Sequence, residues 1–166
     1  MTALANDAFY DQLTEYLKCN QERLYRLAYS YTFSEQDALD VVQSAILKAL
    51  RSRPLRQPRY LRTWMYRILV NTALDWLRSR KRLVPASDDY FEQLSDKLED
   101  PPDPDLRSAL EQLPAEYRTI VVLRFFEELK LSEVAQVTGL NVNTVKTRLY
   151  RALQLMRVEM EVEEDE

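Results

Sequence analysis

The sequence contains one glycine, one cysteine and no histidine. With a single glycine, turns that need a positive φ must be scarce, which disfavours hairpin-rich β folds and favours helices. Without histidine, the commonest general base and a common zinc ligand are missing. The lone cysteine, Cys19, cannot form an internal disulfide. The sequence therefore predicts an all-α protein and disfavours metal-dependent or histidine-dependent enzymes.

Long apolar runs are also missing from the sequence. No stretch of about 18 apolar residues is present, so no membrane span is expected. Residues 1–11 contain neither a basic region nor an apolar stretch, so no signal peptide is expected. These features predict a cytoplasmic protein, and nothing in the sequence calls for a cofactor.

Charge is strongly segregated along the chain, although the net charge is only −4. Residues 1–82 carry 14 Lys and Arg against 8 Asp and Glu, and residues 106–160 carry 8 against 6. Residues 83–105 carry 1 against 8, and residues 161–166 carry 5 acids and no base. Two basic segments are thus separated by an acidic one. This distribution favours nucleic-acid binding by the basic segments, although the net charge of the whole chain would not suggest it.

The segment 85–105 contains four prolines and eight acids, and it predicts a flexible acidic linker. This linker separates two small helical domains, at 1–84 and 106–158. An acidic tail follows at 159–166. The second domain contains a predicted helix-turn-helix, described below.

Apolar residues recur at intervals of three and four along the first domain, which predicts helices. The predicted ranges are about 7–18, 21–31, 34–51 and 59–82. At the start of the third helix, Ser34 followed by Asp37 is a variant of the capping box.

The fourth predicted helix has an unbalanced polar face. Between Lys48 and Arg82 there are eleven basic residues and one acid, Asp75, whereas an ordinary solvated helix balances its charges. We interpret this strip as a nucleic-acid contact, the alternative being a basic surface without a partner. Trp64 and Trp76 lie on the apolar stripe and are expected in the core, whereas Thr63 is expected on the polar face. Tyr60 and Tyr66 are candidates for stacking on an unpaired base. The candidate contacts are Arg67, Asn71, Asp75, Arg78, Arg80, Lys81 and Arg82.

Residues 131–150 (LSEVAQVTGLNVNTVKTRLY) carry the spacing of a helix-turn-helix. A small residue, Ala135, is followed after four residues by Gly139, where the turn needs a positive φ. Six residues later Val145 suits the core of the second helix, and Ser132 and Asn141 are plausible caps. Recognition helices read base edges with their N-terminal residues, and a plain helical hairpin is the alternative. The candidate DNA contacts are Asn143, Thr144, Lys146, Thr147, Arg148 and Arg151.

Two other features are weaker candidates for function. Cys19 is expected to be a partly buried small apolar residue rather than a reactive thiol. Glu127 and Glu128 could suggest paired catalytic carboxylates, but adjacent helical residues diverge by about 100°, so a solvated surface is expected. No catalytic residue is predicted.

The order of these motifs resembles that of sigma factors of the extracytoplasmic-function group, and within it the sigma-V type. Segments 25–31 (YRLAYSY) and 37–43 (DALDVVQ) resemble the part of their first domain that binds the polymerase clamp. Segment 61–78 (LRTWMYRILVNTALDWLR) resembles their promoter-melting helix. Segments 113–118 (LPAEYR), 123–126 (LRFF) and 145–152 (VKTRLYRA) resemble their second domain. The resemblance covers nearly the whole chain apart from the linker and the tail.

The resemblance implies a function and a set of partners. The first domain would read and open the minus-ten element, with Asn71 holding a flipped base, and the second would read the minus-thirty-five element. Asp37, Asp40 and Gln43 match positions that meet the clamp helices of RNA polymerase, although Ser44 stands where the family often has Glu. The implied partners are core RNA polymerase, through its clamp helices and flap, promoter DNA, and a membrane-bound anti-sigma factor.

Two alternative functions are considered beside promoter recognition as a polymerase subunit. A free-standing helix-turn-helix repressor would not need the basic helix of the first domain. A sigma-like decoy that titrates an anti-sigma protein would not need the basic strip or the polar recognition face. Both features are present in this sequence, so a role in a stress response as a sigma factor is the favoured hypothesis.

Overall fold

The computed structural model describes residues 2–83 and 104–164, with side chains described at 6–80 and 107–157. Every regular element in these residues is helical, which confirms the predicted all-α fold. Most of the predicted linker, at 84–103, lies outside the described residues, as do the last two residues of the acidic tail. The chain divides into two compact units.

Residues 2–83 form four α-helices close to the predicted ranges. They are α1 (Thr2–Cys19), α2 (Gln21–Thr32), α3 (Glu35–Arg51) and α4 (Leu61–Leu83), with a short 3₁₀ turn at Pro58–Tyr60 before α4. Ser34 caps α3 as predicted, because its Oγ accepts a hydrogen bond from the backbone N–H of Asp37 at 3.4 Å. The helix boundaries in this part of the chain therefore follow local sequence signals.

The core of the first unit is built from one face each of α1, α2 and α3 and a broad face of α4. The rings of Phe9 and Trp64 meet edge to face at 5.7 Å and join α1 to α4. On α4 the buried surface is wider than one stripe, because Tyr66 and Val70 are buried together with Met65 and Leu69. The buried apolar side chains of this unit are Phe9, Leu13, Leu24, Leu27, Ala28, Tyr31, Ala38, Val41, Ala45, Ala49, Leu61, Met65, Tyr66, Leu69, Val70 and Ala73.

Residues 104–164 form four further α-helices. They are α5 (Pro104–Gln112), α6 (Ala115–Val121), which continues into a π-helical turn at Val122–Phe126, α7 (Leu131–Thr138) and α8 (Val142–Glu164). α5 takes up the last two residues of the predicted linker, and α8 extends over most of the segment predicted as the acidic tail.

α5, α6 and α8 pack together in the second unit. The shared core consists of Ala109, Leu110, Leu113, Val121, Ala152 and Met156, with Tyr117 and Leu149 against its edge. Arg118 on α6 is 8% exposed and closes the end of α5. Its guanidinium donates to the backbone carbonyls of Leu110 at 2.9 Å, Leu113 at 3.0 Å and Glu111 at 3.2 Å. Carbonyls at the end of a helix lack the usual donor one turn further on, so this side chain supplies donors to Glu111 and to Leu113 just beyond the helix, whereas the Leu110 carbonyl also accepts from the N–H of Leu113 at 3.2 Å.

The two glutamates after the π-helical turn have different environments, so the prediction of a shared solvated surface was wrong for one of them. Glu127 is 4% exposed, whereas Glu128 is exposed. The π-helical turn, closed by the Glu127 N–H donating to the Val122 carbonyl at 3.0 Å, shifts the helical register by one residue and turns Glu127 inward. Glu128 then adopts a φ of 57°, in the left-handed region.

Replacing Glu128 with glycine is expected to stabilise the second unit by about 0.5–1 kcal/mol. A left-handed conformation costs an L-residue about 1–2 kcal/mol, part of which is offset by the larger unfolded-state entropy of glycine. Urea denaturation of the full chain measures the difference. The matched control is Gln136→Gly, at an exposed position inside α7, which is expected to destabilise by about 0.5–1 kcal/mol. A loss of stability in Glu128→Gly equal to that of the control would contradict the strain argument.

Candidate nucleic-acid interface

The polar face of α4 presents several of the predicted contacts to solvent. Arg67, Asn71, Asp75 and Arg78 are exposed, and Arg80 is partly exposed. Lys81 and Arg82 continue the helix, but their side chains lie outside the described ones. The helix thus carries Arg67, Asn71, Asp75 and Arg78 at spacings of three and four residues, which places them on one side.

Two predictions about α4 were wrong. Tyr66 is fully buried, so it is not available to stack on a base, and Thr63, expected on the polar face, is also buried. Both belong to the broad buried face of α4. Tyr60 remains a candidate, because it is exposed and its ring lies 4.7 Å from the Arg59 guanidinium.

An open groove of about 440 Å³ lies where the end of α3 meets the middle of α4. Its lining residues are Lys48, Arg51, Ser52, Ile68, Asn71 and Thr72. Asn71 therefore shares a concave surface with two cations from another helix. A carboxamide can both donate to and accept from a base edge, whereas the cations suit a phosphate. Sequence reasoning identified Asn71 but missed the groove, since the approach of α3 to α4 is a tertiary contact.

The helix-turn-helix is formed by α7 and α8. Gly139 has a φ of 74° and donates its N–H to the Ala135 carbonyl at 2.8 Å, and Val145 is fully buried, as the spacing predicted. Asn141 caps α8, because its Oδ1 accepts from the N–H of Asn143 at 2.8 Å. The predicted cap Ser132 was wrong. α7 begins at Leu131, so its N-cap is Lys130, two residues before Ser132, and the Glu133 carboxylate accepts from the N–H of Lys130 at 3.0 Å.

The predicted recognition residues share the outward side of α8. Asn143, Lys146, Thr147 and Arg151 are exposed, and Thr144 is partly exposed. Arg148 is also partly exposed, and its guanidinium lies 3.4 Å from the carboxylate of Glu116 on α6. The start of α8 therefore offers amide, hydroxyl and cationic groups together, which is the chemistry needed to read base edges and bind phosphates.

The outward face of α3 combines acids with exposed leucines. Asp40 and Gln43 are exposed and Asp37 is partly exposed, at the positions predicted to bind polymerase. Leu39, Leu47 and Leu50 are exposed beside this set and were missed in the sequence analysis. They lie outside the stripe of residues that α3 buries. Leucines in the helix that do not belong to its buried stripe were the sequence signal that could have revealed them.

A shifted pKa is found at Tyr25 on α2, where burial and the nearby Glu35 carboxylate raise the pKa of the phenol, which keeps it neutral. Across the described residues, no cluster of His, Cys, Asp and Glu has the geometry to hold a metal ion. Among those residues there is also no helix apolar and long enough to cross a bilayer.

Each of the two units matches a region of a known protein family. Residues 17–83 match Sigma-70 region 2, and residues 104–156 match Sigma-70, region 4. RNA polymerase sigma factor SigV of Bacillus subtilis is 50% identical over 147 residues, covering 87% of this chain and 89% of that protein. ECF RNA polymerase sigma factor SigE of Mycolicibacterium smegmatis is 32% identical over 168 residues, covering 93% of this chain and 64% of that protein.

A solved structure shares the fold. The sigma factor RpoE of Bartonella quintana, in complex with the anti-sigma factor NepR, gives a TM-score of 0.70 at 23% identity. The match covers 90% of this chain and 96% of that one. Sigma factors are transcription initiation factors that direct core polymerase to promoters and have no catalytic activity of their own. The chain belongs to the sigma-70 family of RNA polymerase sigma factors, in the extracytoplasmic-function group, and is similar over most of its length to SigV.

Proposed function

We propose that α4 and the adjoining groove bind and open the minus-ten element of a promoter. The observation that carries this proposal is the exposed carboxamide of Asn71 in a groove shared with Lys48 and Arg51. Unstacking DNA costs about 1.4 kcal/mol per base-pair step. Capture of a flipped base beside Asn71, together with electrostatic binding of the freed strand, offsets that cost. Arg67, Arg78, Arg80, Lys81 and Arg82 supply the charge along α4.

The helix-turn-helix is proposed to bind the minus-thirty-five element with α8 in the major groove. Asn143 and Lys146, with Thr144 and Thr147, are placed for base edges near the start of the helix. Arg148 and Arg151 follow on the same side and are proposed to bind phosphates. The exposure of four of these side chains and the partial exposure of Thr144 and Arg148 support this assignment.

Arg151→Ala is expected to weaken binding of upstream promoter DNA and to reduce the salt slope by about 0.9 for one lost phosphate contact. Arg148→Ala should behave similarly, whereas Asn143→Ala and Lys146→Ala should also change base preference. Fluorescence anisotropy with duplexes at several salt concentrations measures both quantities. Arg157→Ala removes the same charge further along α8 and is the matched control. Unchanged affinity, slope and preference in all four variants would remove α8 as the recognition helix.

The outward face of α3 is proposed to bind the polymerase clamp helices. Asp37, Asp40 and Gln43 would supply polar contacts, and the exposed leucines beside them would supply apolar area. Ser44, where the family often has Glu, contributes no charge to this contact. The polymerase flap is the further contact proposed for the second domain.

The domain division and the regulation are proposals of the same kind. Domains at 1–84 and 106–158 would be joined by the acidic segment 85–105, which repels DNA and suits a basic polymerase channel. The chain would be cytoplasmic when free. An anti-sigma factor anchored in the membrane would hold it at the inner face of the membrane until a stress signal releases it. The similar RpoE structure is bound to an anti-sigma factor, which supports the proposal that an anti-sigma factor binds this chain.

Run-off transcription with core polymerase on a genomic promoter library tests the proposed function. A sigma factor that opens promoters yields specific transcripts that depend on the chain. A decoy would bind an anti-sigma protein and yield none, and a free-standing repressor would bind duplex DNA without polymerase. Pull-down of core polymerase by the tagged full chain separates these outcomes further.

A further inference from the structure

Lys48, which was not among the candidate contacts predicted from the sequence, contacts two side chains of α4. Its Nζ donates to the Oγ1 of Thr72 at 3.2 Å and lies 3.9 Å from an Oδ of Asp75. The same Thr72 hydroxyl donates to the backbone carbonyl of Ile68 at 2.7 Å, so its lone pairs face the ammonium. Thr72 is buried, whereas the side chains of Lys48 and Asp75 are 51% and 61% exposed.

Asp75 is the one acid among the basic residues between Lys48 and Arg82, and its charge opposes the binding of DNA. A carboxylate beside a phosphate-binding surface raises the electrostatic cost of binding the strand. In the structure this carboxylate lies 3.9 Å from the Nζ of Lys48, a residue that also lines the Asn71 groove. The position of Asp75 is therefore better explained by an effect on the lysine than by a contact with DNA.

We propose that Thr72 and Asp75 are positioning residues, which hold the Lys48 ammonium at the groove so that it binds a phosphate of the strand whose base enters beside Asn71. This inference rests on the proposed function of the groove. Asp75 then acts through Lys48 and makes no contact with nucleic acid.

The physical reason is the length of the lysine side chain. A free lysine samples many rotamers, and ordering it on binding costs up to about 2 kcal/mol. An ammonium has three N–H donors, so a bond to Thr72 leaves donors available for a phosphate oxygen. Fixing the stem before the strand arrives removes part of the ordering cost from the binding step.

The decisive measurement is the sign of the Asp75→Asn effect in two backgrounds. Core polymerase with the full chain is titrated with a fluorescent single-stranded DNA that carries the minus-ten element of a promoter found by run-off transcription. In the wild-type background, Asp75→Asn is expected to weaken binding about twofold to fivefold, the range of an exposed ion pair. In a Lys48→Met background, the same change is expected to strengthen binding, because a repulsive charge is removed and no lysine is left to position.

Three further variants test the rest of the arrangement. Lys48→Met alone should lower the salt slope by about 0.7, the value for one phosphate on a single strand. Thr72→Val should weaken binding in the wild-type background and not in the Lys48→Met background, whereas Thr72→Ser should retain wild-type binding. Lys18→Met and Asp11→Asn, on α1, are the charge-matched controls. Thermal melting of each variant identifies any effect that arises from a less stable fold.

Each outcome decides between distinct interpretations. Weaker binding from Asp75→Asn in both backgrounds would overturn the proposal and make Asp75 a direct DNA contact. Stronger binding in both would show that Asp75 only repels DNA, which also overturns it. If Asn71→Ala leaves promoter opening unchanged, the assignment of the groove to the minus-ten element is itself wrong. A defect in Asn71→Ala with no effect of Lys48→Met would instead reject only the positioning of Lys48.

Discussion

Asn71→Ala is expected to reduce open-complex formation on duplex promoters about 5-fold to 30-fold, corresponding to the loss of about 1–2 kcal/mol of base contacts. Stability should remain near wild type, because Asn71 is exposed and alanine is the better helix former. Affinity for core polymerase should also be unchanged, since the proposed clamp contacts lie on α3. Permanganate footprinting or a fluorescent-base assay of the melted strand measures the effect.

A promoter with a pre-melted bubble provides the internal control for Asn71→Ala. Because the cost of unpairing has been removed, part of the lost activity should return on this template. Asn6→Ala, at an exposed position on α1, is the matched variant and should open duplex promoters normally. A large loss of thermal stability would show that Asn71 is structural. Normal melting of duplex DNA by the variant would remove it from the site.

Arg118→Met is expected to destabilise the second unit by about 3 kcal/mol or more. The substitution keeps much of the side-chain volume but removes three hydrogen bonds from the guanidinium, and only the Leu110 carbonyl keeps another donor, the N–H of Leu113 at 3.2 Å. Hydrogen bonds to charged groups contribute about 1.5–3 kcal/mol each. Upstream DNA binding should be lost at a lower temperature than in wild type. Urea denaturation of the full chain, with the far-ultraviolet signal as the probe, measures the change.

Two variants separate charge from geometry at this position. Arg118→Lys retains the charge but replaces a planar fork by one nitrogen, so it should recover only part of the stability. Arg124→Met, on the same helical segment but partly exposed, should cost less than about 1 kcal/mol. Equal unfolding free energies for wild type and Arg118→Met would contradict the capping role.

The features predicted well from the sequence are those fixed by local geometry. A left-handed turn strongly favours glycine, so the single Gly139 located the turn, and Ala135 and Val145 followed from helical spacing. Ser34 was recognised as a cap because its hydroxyl bonds a group three residues away. These signals need no knowledge of the rest of the fold.

Features that depend on more distant packing were predicted poorly. Periodicity predicts one buried stripe, but the core extends around α4 beyond that stripe, so Tyr66 and Thr63 are also buried. Glu127 turns inward because a π-helical turn shifts the register, which no residue type announces. The hydrogen bond from Lys48 to Thr72 joins residues 24 positions apart, which spacing along one helix cannot predict.

The contact between Glu116 and Arg148 has a thermodynamic consequence for DNA binding. Arg148 is restrained before DNA arrives, whereas Arg151, one turn along α8, is exposed to solvent. Immobilising a long side chain at an interface costs about 0.5–1.5 kcal/mol, mostly as entropy. Binding through Arg148 therefore carries a smaller entropic penalty than binding through Arg151, and calorimetry of the two alanine variants would record this as a difference in TΔS.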